Sequence, residues 1–214
     1  MVFNETIENL WPIHLGSFEN KDHLKIKSGL LDFFNEYEKE NPLGRQSAEN
    51  SNLFESSYDI HLKKNEYFNK LLFFISTSVL KMSNYSNMVP KDSQDVFDVS
   101  VKDSWFIKYK KEKGHVLPHV HSFCSWCCVY YVQIGEDADL MNGSTYFLNP
   151  RAHRDSMDFG SDFRKRNTKF KIPKEGTVLI WPNNLLHGSV PYVGKKERII
   201  VSANFLVNKV QKIK

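Results

Sequence analysis

The chain predicts an α+β fold, with helices before residue 96 and an antiparallel β-sandwich or jelly roll after it. Two segments of the first half repeat apolar residues at helical spacing. The second half breaks instead into many short apolar runs. Turn signals separate them: Asn142-Gly143, Pro173-Lys174-Glu175-Gly176 and Val193-Gly194. Many short strands divided by turns fold as a sandwich or barrel rather than as a parallel sheet.

Residues 1–20 read as a strand and loop, because Phe3, Ile7, Leu10, Trp11 and Ile13 are apolar without one period. Over 21–40, Leu24, Ile26, Leu30, Leu31, Phe33 and Phe34 suit a helix that Pro42-Leu43-Gly44 breaks. Residues 44–60, rich in Ser, Asn and Gln, read as loop with a short ordered piece near 53–58. The strongest helix covers 64–83, where Tyr67, Leu71, Leu72, Ile75, Val79 and Leu80 share a face. Residues 84–95 are loop. Strands follow at 96–100, 104–111, 127–134, 144–148, 170–172, 177–181, 188–191 and 197–205, with Trp105, Ile107 and Tyr109 alternating onto one face. No internal repeat or domain boundary appears. The expected organisation is a single domain over 1–214, with a strand and helical extension over 1–95 and a jelly-roll core over 96–207. Residues 151–169 are poor in β-formers and read as a long surface loop, a lid over a site.

Composition narrows the class. At 41% hydrophobic and 25% charged residues the chain is neither disordered nor a membrane protein. Its longest apolar run, 71–80, is interrupted by Ser and Thr and is too short for a bilayer. The first residues lack a basic segment followed by an apolar one, so a secretory signal is not expected and a cytoplasmic location is. The net charge of +4 is scattered, which fits a solvated surface better than a nucleic-acid site. A homodimer is compatible with the chain. Cys124, Cys127 and Cys128 are odd in number and clustered, a poor disulfide framework. Cys127 and Cys128 are expected to pack as small apolar residues in a strand. Heavy use of Asn and Lys suits an AT-rich genome such as a phage's, which would place the protein in the host cytoplasm.

Three histidines and one arginine carry the chemistry. His119 and His121 form a His-x-His pair, His187 follows far downstream, and Arg198 opens Arg198-Ile199-Ile200-Val201-Ser202. In an extended segment His119 and His121 point the same way. Imidazole suits Fe, Cu, Zn or Ni. Two close ligands, one distant ligand and a downstream cation form the layout of a mononuclear metal site that also grips a carboxylate co-substrate. A lone His-x-His is weak evidence; the whole layout is much stronger. His115 and His153 fit hydrogen-bonded core or surface histidines better, and His14, His23 and His61 make no ligand pattern.

Several further pieces match one family. Val129-Tyr130-Tyr131-Val132 follows the His-x-His run. Asn142-Gly143-Ser144-Thr145-Tyr146-Phe147 is similar to a Gly-Gly-x-Thr-x-Phe strand, with Asn in place of the first Gly. The run from Gly176 through Trp181-Pro182 delivers His187, and Glu197 to Phe205 forms a last strand with its arginine. Over roughly 96–205 the chain thereby resembles the Fe(II)- and 2-oxoglutarate-dependent oxygenases of the prolyl-hydroxylase type. It is most similar to a group, frequent in bacteria and tailed phages, that reads His-x-His before a Val-Tyr-Tyr-Val strand.

The resemblance implies a double-stranded β-helix core with N-terminal buttressing helices. It implies Fe(II) at His119, His121 and His187, with 2-oxoglutarate chelated through its C1 carboxylate and keto oxygen in the open positions of the triad. Arg198 would fork onto the far carboxylate. Tyr131 would donate to it, Tyr109 would line the pocket, and Ser202 or Asn204 would add a hydrogen bond. A substrate would be hydroxylated with dioxygen, giving succinate and carbon dioxide. The departure is His121, which stands where most of the superfamily has Asp or Glu. It leaves open the metal, the co-substrate and a carboxylate arriving from Asp155 or Asp158. The alternatives are a three-histidine cupin-like dioxygenase that needs no 2-oxo acid and a non-catalytic jelly-roll binding protein. Arg151, Arg154, Arg164 and Arg166 in the expected lid point to an anionic or polar substrate.

Overall fold

Helix α1 (His23–Glu40) forms because Ile26, Leu30, Phe34 and Tyr37 recur on one stripe and are all buried. The protein is seen here as a computed structural model that describes residues 11–45, 50–90, 96–109, 113–150 and 167–210. Helix α1 ends at Asn41, whose N–H still reaches the Tyr37 carbonyl at 2.9 Å, and Pro42 follows. Helix α2 (Glu66–Ser86) starts where the Asn65 side chain accepts from the Phe68 N–H at 3.0 Å, a cap that sets the boundary after Lys64. It runs on to Ser86, past the expected end. Its buried stripe is Phe68, Leu71, Leu72, Ile75, Val79 and Met82. Tyr67 and Leu24, expected on buried faces, stand off these stripes and are exposed.

The strands are β1 (Gly16–Glu19), β2 (Asn50–Ser51), β3 (Leu53–Glu55), β4 (Phe97–Tyr109), β5 (His115–Val116), β6 (Trp126–Gln133), β7 (Thr145–Leu148), β8 (Thr168–Lys171), β9 (Thr177–Pro182), β10 (His187–Ser189) and β11 (Arg198–Lys209). A large antiparallel sheet has the order β1-β9-β6-β11-β4-β3, and a smaller one the order β10-β7-β8. Strands β2 and β5 pair separately. The two strands expected at 96–100 and 104–111 are the single long β4. Its full length pairs with β11, which therefore continues to Lys209 rather than stopping near 205. A register shift in that pairing lies between Asn204 and Phe205.

Strand alternation sorts the large sheet into two faces. Phe106, Cys128, Tyr130, Val178, Ile180, Val201 and Phe205 face α1 and α2. Trp105, Ile107, Cys127, Val129, Tyr131, Leu179, Trp181 and Ile200 face the other way, toward Phe147 of the small sheet. The central strands read as unbroken apolar runs because both their faces are covered. Cys127 and Cys128 are buried on opposite faces, as expected of small apolar residues, while Cys124 is half-buried. Two facing antiparallel sheets are consistent with a jelly roll. The lid expected over 151–169 lies outside the described residues as far as 166, together with His153, Asp155, Asp158 and the four arginines, whereas 168–171 belong to β8.

The helices are tied to the sheet mainly by aromatics. Phe34 stacks on Phe106 with ring centroids 4.3 Å apart, and both are fully buried. Lys108, on the same face, reaches Asn35 at 2.7 Å and Glu38 at 2.5 Å, so its charge is paired where the sheet meets α1. Phe34→Ala is expected to cost about 3–5 kcal/mol of unfolding free energy, read by urea denaturation. An unchanged midpoint would contradict this packing of α1 on the sheet.

Candidate metal centre

The triad is assembled by backbone pairing. His119 donates its N–H to the His187 carbonyl at 2.9 Å, and His187 returns its own to the His119 carbonyl at 3.1 Å. His121 donates to the Asn183 carbonyl at 3.0 Å, on the turn before β10. The His-x-His run is thus not a regular strand, since only His119 makes a ladder bridge. Its two rings nevertheless fall on one side, with Nε2 atoms 3.1 Å apart. The ligand atoms of His119, His121 and His187 all lie within 4.8 Å of one another. Two cis ligands with metal–imidazole bonds of about 2.1 Å sit about 3.0 Å apart, so the His119–His121 spacing is that of neighbours on an octahedral ion.

The opposite ring nitrogens say the same. Nδ1 of His119 lies 2.8 Å from the Leu117 carbonyl, and Nδ1 of His121 lies 2.5 Å from Oδ1 of Asn204. Nδ1 of His187 is 2.8 Å from the Leu185 carbonyl and 3.2 Å from the Trp181 indole nitrogen. It cannot donate to the first and accept from the second, and the nearer carbonyl takes precedence. All three imidazoles then carry their proton on Nδ1 and turn a bare Nε2 inward, as metal-ligating histidines do. In that tautomer the Nε2 lone pairs of His119 and His121 face each other, as they would around a shared cation.

Burial, then the charges of His119 and His121, hold His187 well below the ordinary histidine value. Burial likewise pushes His121 down to about 4, against a weaker upward pull from its bond to Asn204. Both rings are neutral and ready to bind metal at neutral pH. Trp181 stands edge-on to His187 with centroids 4.6 Å apart, and Trp105 stacks near His121 at 5.7 Å.

Arg198 lies on the inner face of β11 and is fully buried. The face of Tyr109, its partner across the ladder, covers it at 4.0 Å, and Tyr131 stands 5.7 Å away. Among the described residues its Nε and Nη1 have no hydrogen-bond partner. A buried guanidinium with unmade bonds is costly, and a carboxylate forked onto Nη2 together with Nε or Nη1 would satisfy one of these nitrogens. Gly143, at a φ of +73°, keeps this wall clear: a Cβ there would come within 2.8 Å of Tyr192 and 3.4 Å of the Arg198 side chain. The Tyr131 hydroxyl lies 2.7 Å from Thr145 Oγ1, and burial pushes its pKa up to about 12, so it keeps its proton.

One cavity of about 420 Å³ is lined by the three histidines, Arg198, Tyr109 and Ser202. Asn204 lines it too, so of the expected triad and pocket residues all but Tyr131 are in its lining. Tyr131 stands beside Arg198 in the wall. Asn204, expected to bond the co-substrate, directs its carbonyl oxygen to His121 and its Nδ2 to Asp103 Oδ2 at 3.1 Å. His115 Nδ1 bonds the Lys113 carbonyl, away from the triad. Asp103, Thr145 and the mouth residues Arg45 and Tyr58 were not legible as site residues. Asp103 alone had a readable signal, since it faces Asn204 across the ladder once β4 and β11 are paired.

Residues 103–204 match the model of one protein family, described as "Putative 2OG-Fe(II) oxygenase". No curated protein matches the chain by sequence. Among solved structures it is similar to a prolyl-4-hydroxylase from Pseudomonas putida, at 13% identity and a TM-score of 0.60, covering 90% of this chain and 91% of that one. It is also similar to SnoN, a non-heme alpha-ketoglutarate-dependent epimerase of nogalamycin biosynthesis, at 11% identity and a TM-score of 0.59, covering 94% and 80%. A third is HygX from Streptomyces hygroscopicus with nickel and 2-oxoglutarate bound, at 10% identity and a TM-score of 0.54, covering 89% and 82%. At these identities the likeness is one of fold.

The sign of the histidine shifts sets a pH dependence. Both folded values lie below the ordinary 6.5, so the unfolded chain takes up protons first as pH falls. The metal-free protein is expected to lose stability from about pH 6.5 toward pH 4, and His187→Gln is expected to flatten that slope. Urea midpoints across this range, equally steep in both proteins, would refute the neutral triad.

Proposed function

We propose that this chain, whose residues 103–204 match the 2OG-Fe(II) oxygenase family model, is an Fe(II)- and 2-oxoglutarate-dependent dioxygenase that hydroxylates its substrate. The observation that carries the reading is the buried Arg198, with Nε and Nη1 unpartnered among the described residues, in the same cavity as the three converging histidines. In this reading the core over 96–207 is a double-stranded β-helix and residues 1–95 are the extension packed on its outer face, the whole forming one domain.

His119, His121 and His187 hold Fe(II) through Nε2. Bound there with 2-oxoglutarate, the metal supplies dioxygen-dependent oxidative decarboxylation to succinate and carbon dioxide, coupled to oxidation of a substrate C–H bond. Arg198 binds the far carboxylate of the co-substrate through its planar edge, because Tyr109 occupies its face. Tyr131, protonated and braced by Thr145, stands beside that carboxylate as a donor. Ser202 and Ile200 line the path from Arg198 toward the triad. Tyr109, Ile107, Trp105 and Trp181 exclude water and strengthen each electrostatic contact. The prime substrate enters by the mouth, where Arg45, Tyr58, Lys102 and Asp103 present both charge signs.

A three-histidine dioxygenase without a 2-oxo acid has no such use for an arginine matched to a second carboxylate, unless its own substrate supplies one. With Fe(II) and air, the parent protein is expected to turn 2-oxoglutarate into succinate, followed by NMR. His187→Ala should reduce bound iron from stoichiometric to background while keeping the fold. Arg198→Lys should keep the iron but weaken 2-oxoglutarate binding about 10- to 100-fold, the loss of a charged fork. Undiminished iron binding by His187→Ala would mean that the site is misassigned.

A further inference from the structure

We propose that Asp103 and Asn204 are positioning residues that lock His121 in the tautomer whose Nε2 is free for the metal, so that a carboxylate governs this ligand from one residue away. The inference rests on the metal reading above and goes beyond it, because it explains how a histidine serves at this position.

Donor and acceptor chemistry fixes the order of the three groups. An ionised Asp103 can only accept. The Asn204 group facing it at 3.1 Å must then be the amide nitrogen, which donates. The other end of the same amide, a carbonyl oxygen that can only accept, is thereby aimed at His121 Nδ1, 2.5 Å away. The proton on the ring must sit on Nδ1, and the lone pair on Nε2. Reversing the amide would set a carbonyl against a carboxylate. Without Asp103 nothing would oppose that reversal, and an Nε2–H tautomer, useless as a ligand, would become accessible.

The surroundings keep the relay in this state. Lys102 Nζ lies 2.8 Å from the same Asp103 oxygen. Burial alone would raise the Asp103 carboxyl, but the bonds from Lys102 and Asn204 outweigh it and hold the group below its ordinary value. Asn204 is 6% exposed, so water is a poor competitor for its amide. Asp103 and Asn204 are ladder partners immediately before the register shift at Phe205, and bulges of this kind re-aim side chains beside sites. Trp105 covers the flank of the His121 ring. Oriented outer partners of this kind typically change metal affinity 10- to 100-fold.

The test reads the tautomer directly in metal-free protein labelled with nitrogen-15 histidine, by long-range proton–nitrogen NMR at pH 7.5, with His121 assigned through His121→Gln. The parent is expected to show a protonated Nδ1 and a bare Nε2. Asp103→Asn is nearly isosteric, yet it should give a tautomer mixture and weaken Ni(II) binding about 10- to 100-fold in calorimetry. The exchange Asp103→Asn/Asn204→Asp should restore both, because the donor and acceptor order is rebuilt with the carboxylate on His121. A merely structural role would not be rescued in this way. An Asp103→Asn protein that keeps a single Nδ1–H tautomer and the parent's Ni(II) affinity overturns the relay, as does a parent whose His121 is protonated on Nε2. A parent that binds no Ni(II) defeats the metal reading instead, and the tautomer, measured without metal, still decides the relay.

Discussion

The register of β11 between β4 and β6 is the constraint on which the site depends. Period-two alternation sends Ile199, Val201, Ala203 and Phe205 into the helix-facing core and Arg198, Ile200, Ser202 and Asn204 into the cavity. A slip of one residue would drive the guanidinium of Arg198 among Phe34, Phe68 and Phe106 and lift four apolar side chains into the site. The apolar packing of one face thereby holds the chemistry of the other in place. The same strand reaches from Arg198 to the residue that bonds His121, so one ladder sets the spacing between the arginine and the histidine cluster.

Charge gives that geometry a preference. The neutral imidazoles of His121 and His187 contribute none, and Arg198 contributes a buried positive charge. Of the cavity's described carboxylates, Asp103 is paired with Lys102 and Glu55 lies 3.4 Å from Arg45. Adding a divalent cation makes the interior strongly positive, and a small diacid with one carboxylate for the metal and one for Arg198 neutralises both ends. With a third imidazole as ligand in place of a carboxylate, the proposed site would leave the metal's charge to the co-substrate and to Asp103 behind Asn204.

Much of this was legible in the chain. Apolar spacing placed helices at 21–40 and 64–83, close to the observed 23–40 and 66–86, alternation and turns placed most strands, and residue type and order picked out the three histidines and Arg198. The expectations that missed did so for physical reasons. Tyr67 yielded its buried place to Phe68, which stands three and four residues before Leu71 and Leu72 on the buried stripe, and two expected strands fused into β4 because pairing with β11 overrides a weak polar stretch at Lys102 and Asp103. The role of Asn204 could not be read from β11 alone, because its partners come from β4 and from the His-x-His segment. Pairings distant in sequence decide such contacts, and neither composition nor local period encodes them.

The central claim is that the histidines and Arg198 hold a metal and a 2-oxo diacid together. An anaerobic titration of the protein with Fe(II) and 2-oxoglutarate, followed by visible absorption, tests it most directly, because the chelate gives a weak metal-to-ligand charge-transfer band. The account predicts a band that requires both components and saturates at one equivalent of each. Bound Fe(II) with no band at any 2-oxoglutarate concentration would contradict it.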